Sequence, residues 1–123
     1  MSAGAHLLFV YGTLKRGGVN HRHLAGQTFV GEARTVAGYR LYALDGYPGM
    51  VAQAGDRDGV VGEIWSVDDD ALVRLDRFEG VSEGLYRREP VALLAPFSDR
   101  IVHAYLYPHG VAGRRDLGSR WTE

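Results

Sequence analysis

Leu7-Leu8-Phe9-Val10-Tyr11-Gly12-Thr13-Leu14-Lys15-Arg16-Gly17-Gly18 is the stretch from which the rest of the chain is read. Its apolar, partly β-branched start predicts a buried strand, and the change at Tyr-Gly-Thr-Leu, followed by a basic pair and two glycines, predicts a loop. Gly12 stands where the backbone must turn sharply or pass close to another group, because it has no Cβ to obstruct either. A turn of that kind leaves successive N–H groups pointing the same way, a nest for a carboxylate, phosphate or oxyanion. The alternative is an ordinary strand-to-turn connection. Gly12 and Gly17 also have the outer spacing of a phosphate loop, but Gly18-Val19 stands where that motif needs Lys and Ser/Thr.

Outward from this stretch, the 123 residues suit one domain, 1–123, with one hydrophobic core. Hydrophobic residues make up 46% and charged residues 24%, as in soluble globular proteins. The formal net charge of -1 gives no electrostatic case for nucleic acid or an acidic membrane. There is no cysteine, which removes disulfides, thiolate nucleophiles and cysteine-ligated metals. No stretch approaches membrane-spanning length and no leader pattern opens the chain, so a cytoplasmic location is expected. The oligomeric state is open.

Residues 1–6 read as a loose end. Asn20 to Leu24 reads as a turn or short helical piece before a strand over Gln27 to Ala33. His21 and His23 are possible metal ligands, but no acidic or histidine cluster at ligand spacing accompanies them, and surface or hydrogen-bonded roles fit as well. Thr35 to Leu44 alternates as a strand and turns at Asp45-Gly46-Tyr47-Pro48-Gly49 into Met50-Val51-Ala52, a hairpin that either lines a pocket or merely connects. Val60 to Val67 is a further strand. Leu85 to Leu94 and Arg100 to Tyr107 complete the β-rich remainder; in the latter either His103, Tyr105 and Tyr107 or Val102, Ala104 and Leu106 could face the core. Trp121 reads as an anchor for the tail.

One helix stands out. Asp68 suits its N-cap, Asp69 and Asp70 complement the positive end of its dipole, and Gly80 suits its stop. Leu72, Leu75 and Phe78 define an apolar face, and at roughly 100° per residue Glu79 falls on that same face. Burial and the negative helix end both disfavour its ionised form, so its pKa should rise towards the range of a useful general acid and base. The alternative is that Glu79 reaches water or pairs with Arg87 or Arg88. Asp76, one turn earlier, reads as a salt-bridge partner.

The opening Phe9-Val10-Tyr11-Gly12-Thr13-Leu14-Lys15-Arg16-Gly17 and Leu75-Asp76-Arg77-Phe78-Glu79-Gly80, followed by Tyr86 and Arg88, together resemble the γ-glutamylcyclotransferase-like family, in particular its γ-glutamylamine cyclotransferase (AIG2-like) branch. Asn20-His21-Arg22, Tyr47-Pro48-Gly49, Gly62-Glu63-Ile64-Trp65 and the Gly118 to Trp121 element extend the match over most of the chain. The resemblance implies an α+β fold, a small mixed β-barrel flanked by short helices. It implies an enzyme in which the α-amine of a γ-glutamyl substrate attacks its own γ-amide carbonyl and releases 5-oxoproline and an amine, with no cofactor and no metal. It implies Glu79 as general acid and base, and Tyr11, Gly12, Thr13 and Leu14 as the segment whose backbone N–H groups hold the glutamyl portion. Tyr86 and Tyr107 are further candidates for the pocket wall. The expected partner is a small γ-glutamyl molecule. The main alternative is a non-catalytic module on the same fold that binds a γ-glutamyl group or an amine; a purely structural interaction protein is a third.

Overall fold

The computed structural model describes residues 5–123. Eight strands, β1 (Ala5–Val10), β2 (Thr28–Arg34), β3 (Tyr39–Ala43), β4 (Pro48–Ala52), β5 (Val61–Asp68), β6 (Arg87–Pro90), β7 (His103–Leu106) and β8 (Asp116–Gly118), form one mixed sheet. Among the described residues, one α-helix, α1 (Asp69–Phe78), and a single 3-10 turn at His21–Leu24 accompany it. Along the main path the order is β2-β5-β1-β7-β4-β3-β8, with β6 on the other edge of β7. The sheet is barrel-like but does not close through a strand ladder; the Val61 N–H donates to Ser119 O at 2.8 Å, a single link between β5 and the segment after β8.

From Leu7 to Val10, β1 is apolar because both of its faces are covered. Leu8 and Val10 pack with Leu72 and Leu75 of α1, whereas Phe9 packs with Leu41, Met50 and Ile64 on the other side. β7 resolves the choice between its two faces in the same way. Tyr105 enters the first cluster and Val102 and Ala104 the second, so both faces are core. Trp121 packs against the second cluster, as an anchor should.

The edge of β7 opposite β6 is shared. β1 runs parallel to it at Leu8 and Phe9, opposite His103 and Ala104, and β4 takes over with Met50 opposite Leu106. β1 therefore parts from β7 where β4 joins it, while still paired with β5 up to Val10, and the loop after Val10 is held at that split.

Two readings of element ends change. Residues 1–4 lie outside the described residues, but Ala5 and His6 are not loose, since they pair with Asp68 and Val67 in β5. Thr35 to Gly38 is not strand, apart from an isolated bridge between Thr35 and Leu93, because the chain turns through Gly38 at φ +109°. The helix start is as expected: Asp68 is the N-cap and its Oδ1 accepts from the Ala71 N–H at 2.8 Å. Asp68→Ala is expected to cost about 1 kcal/mol, read as a lower thermal midpoint with the same folded-state circular dichroism.

Candidate active site

The loop Tyr11–Leu14, the end of α1 and the β3–β4 hairpin enclose a cavity of about 380 Å³. Tyr11, Gly12, Thr13 and Leu14 line it from one side, Glu79 and Phe78 from the helix end, Tyr47 and Pro48 from the hairpin. The two stretches singled out in the sequence thus face one space. A volume of this size suits a small molecule.

Glu79 is placed by the helix stop. Its N–H donates to Leu75 O at 2.8 Å, Gly80 follows in the left-handed region at φ +67°, and the Val81 N–H returns to Asp76 O at 3.0 Å. This is the glycine termination expected from the sequence. The side chain is half-buried. Burial pushes its pKa from the ordinary 4.5 up to about 7. Arg88 does not neutralise it: its guanidinium lies against Asp76, Nε to Oδ1 at 2.8 Å and Nη2 to Oδ2 at 3.1 Å. Asp76 is thereby the salt-bridge partner the sequence pointed to, its pKa held below the carboxylate range against the opposing effect of burial. Phe78 departs from the expected core face. It is 41% exposed and stacks on His23 at the cavity mouth, with 4.1 Å between ring centroids.

The loop is braced from outside the cavity. The Asn20 side-chain amide donates to Thr13 Oγ1 at 3.0 Å, the Asn20 N–H to Thr13 O at 3.0 Å, and His21 Nδ1 lies 2.8 Å from Leu14 O. Glu63 accepts from the Arg16 N–H, Arg16 Nε and Trp65 Nε1, each at 3.1 Å. Those bonds and the arginine charge outweigh burial and lower its pKa. Gly12 shows close approach rather than a left-handed turn, since a Cβ there would lie 2.7 Å from Pro48 Cγ. The left-handed residue in this loop is Gly17, at φ +84°. Among the described residues, no intramolecular hydrogen bond outside the strand ladders takes up the N–H of Gly12, Thr13 or Leu14. Loss of the Asn20 amide, worth about 1 kcal/mol to the loop, should show as a KM raised about fivefold in Asn20→Ala, with kcat less affected.

The tyrosines divide by role. Tyr11 brings its backbone to the cavity, while its hydroxyl is committed to the core, donating to Tyr105 O at 2.6 Å and accepting from the Met50 N–H at 3.2 Å. Tyr86 lines the wall and its hydroxyl donates to Pro48 O at 2.9 Å, tying the hairpin down. Tyr107 is not on the wall. The chain leaves β7 after Leu106, and the Tyr107 ring lies behind Tyr86, 5.9 Å between centroids, with its Cβ against Gly49. Tyr105 takes a wall position that the sequence did not single out, its hydroxyl donating to Asp76 Oδ1 at 2.7 Å. Burial raises the pKa of Tyr11, Tyr86 and Tyr105, and the nearby Glu79 carboxylate raises each further. Glu63 entered the sequence reading only as part of the Gly62 to Trp65 match, with no role given, although a carboxylate inside the apolar run Val60 to Val67 was a usable signal. His21 and His23 serve the loop and Phe78 and do not converge on a common point with acidic groups.

The mixed sheet with its helix has the γ-glutamyl cyclotransferase-like fold. The family model for γ-glutamyl cyclotransferase, AIG2-like, matches residues 8–123. The chain belongs to that family. It is 36% identical to a putative γ-glutamylcyclotransferase of Vibrio cholerae over 118 residues, 96% of each chain. It is 40% identical to the γ-glutamylaminecyclotransferase of Rattus norvegicus over 91 residues, 68% of this chain and 60% of the rat protein. Among solved structures, a uropathogenic E. coli-specific protein superposes with a TM-score of 0.78 at 30% identity, covering 95% of this chain and 93% of the other. A mouse AIG2-like protein does so with a TM-score of 0.74 at 31% identity, covering 86% and 79%. These relatives support γ-glutamyl cyclotransferase activity in general terms.

Proposed function

We propose that the protein cyclises a γ-glutamyl amide, with the glutamyl portion held on the Tyr11–Leu14 backbone and Glu79 moving the proton. Glu79 accepts a proton from the substrate's α-ammonium. The freed nitrogen attacks the γ-carbonyl carbon, the bond to the leaving nitrogen breaks as Glu79 returns the proton to that nitrogen, and the second proton shed by the ring nitrogen passes to the released amine, which leaves as an ammonium. The products are 5-oxoproline and an amine, and the proton count balances without a co-reactant. Nucleophile and electrophile belong to one molecule, so the protein's task is to hold a folded conformer and relay protons from the attacking to the leaving nitrogen.

The observation that carries this reading is the meeting of Glu79 and the loop on one cavity, the carboxyl with a pKa near 7 and the loop with unclaimed backbone donors. Donors of this type stabilise a carboxylate in the bound substrate and an oxyanion during attack. The test is 5-oxoproline release from a panel of γ-glutamyl amino acids, γ-glutamyl-ε-lysine and simple γ-glutamylamines. Release from at least one class is expected, with an acid limb in kcat/KM near the Glu79 value of about 7, because the base form predominates above it. Folded protein releasing none of these amines would count against the reading.

A further inference from the structure

We infer that the outer part of this cavity receives an uncharged, apolar amine, so that the preferred substrates are γ-glutamyl amides of aralkyl or branched alkyl amines and not of amino acids. The inference rests on the cyclotransferase reading and adds the chemical class of the leaving group.

Its basis is what converges at the mouth. Val19 is 67% exposed, Phe78 41% and Leu85 39%, and all three line the cavity although they come from the loop after β1, the end of α1 and the segment before β6. An isolated exposed apolar side chain needs no explanation, but three brought to one opening beside Tyr47 and Pro48 make an apolar patch at a binding site. Among the described residues, none lining the cavity is Lys, Arg or His, and Glu79 supplies its one carboxyl group.

Lys15, Arg16, Arg22 and Arg88, all near the cavity, are engaged within the protein. Lys15 Nζ donates to Trp121 O at 2.9 Å, Arg16 pairs with Glu63 and lies over the Phe29 ring, Arg88 pairs with Asp76, and Arg22 Nη1 donates to Val19 O at 2.9 Å. An amino-acid leaving group would carry its carboxylate into this opening opposite Glu79, with no cation on the cavity wall to offset its desolvation. A cationic tail would find aromatic faces at Phe78 and Tyr47, but only alkyl surface at Val19 and Leu85. A ring or branched alkyl group suits all four.

The experiment compares γ-glutamylphenethylamide with γ-glutamylphenylalanine, which differ only in the carboxylate, and with γ-glutamylputrescine, which carries a positive tail. A kcat/KM higher for the phenethylamide by about tenfold or more over both is expected. Equal values, or a preference for either charged substrate, would overturn the inference while leaving the cyclotransferase reading intact. Should none be turned over, calorimetric binding of the same three compounds separates the two ideas. Selective binding of the phenethylamide would uphold the apolar subsite and overturn the reaction; unselective or absent binding would overturn both. Leu85→Arg provides a second readout at a partly exposed position, where the fold should tolerate the change. With an unaltered thermal melt, the phenylalanine-to-phenethylamide ratio should rise about fivefold. An unchanged ratio would remove the amine from this mouth and overturn the inference.

Discussion

Glu79→Gln is expected to lower 5-oxoproline release by about 10²- to 10⁴-fold, the usual contribution of a positioned acid and base, while substrate binding persists. Glutamine keeps the shape and a polar head but can neither accept the ammonium proton nor return it. A variant that bound and turned over substrate as well as the parent would remove Glu79 from the mechanism. The same change should also stabilise the protein at neutral and alkaline pH. The folded-state pKa of about 7 lies above the ordinary 4.5. The folded state therefore binds more protons between those values, and stability falls as pH rises through that window. The contribution is fully present below the unfolded value and lost above the folded one. Glu79 is half-buried, which moderates the effect, so the glutamine variant should gain about 1–3 kcal/mol at pH 8 and little at pH 4. Denaturant melts at the two pH values check this, and equal stabilities at both would show that burial does not hold the carboxyl protonated. A loss of activity coupled to a gain of stability is the behaviour of a group kept for chemistry rather than for the fold.

Gly62→Ala should be the most damaging small change in the sheet. A Cβ there would stand 2.4 Å from Val10 O and 2.7 Å from Phe9 Cζ. The first contact is backbone and the second a fully buried ring, so neither can yield without moving β1. Overpacking of this kind costs about 2–3 kcal/mol, expected as a lower urea midpoint with an unchanged slope. Val10 immediately precedes the substrate loop, so the displacement should also raise KM. Gly110→Ala, where a Cβ would meet nothing within 4 Å, is the matched control and should stay within about 0.5 kcal/mol of the parent. Comparable losses in both variants would point to backbone entropy and not to the β1–β5 contact.

The parts of the site governed by local rules were readable from the chain alone. The apolar run into Tyr-Gly-Thr-Leu specified a strand and a loop, and Asp68 and Gly80 marked a helix whose last turn carries Glu79. Helical periodicity was less reliable at that end. It assigned Phe78 to the core with Leu75, but the helix stops there and the ring turns outward onto His23. Alternation held through Tyr107, which packs with Tyr105 on the first cluster although β7 ends one residue earlier.

The sequence by itself determined where the loop and the helix end that carries Glu79 fall, since strand patterning, capping and glycine placement act over a few positions. Only the tertiary structure decided how they meet. The sharing of one edge of β7 between β1 and β4 opens the cavity, and the Tyr11 hydroxyl reaches across 94 positions to Tyr105 O and is thereby committed to the core. Glu63 braces the loop from 47 positions away, and Asp76, held by Arg88, leaves Glu79 without a cation. Those outcomes depend on strand register and on competition for hydrogen-bond partners between distant segments, and no local pattern encodes either.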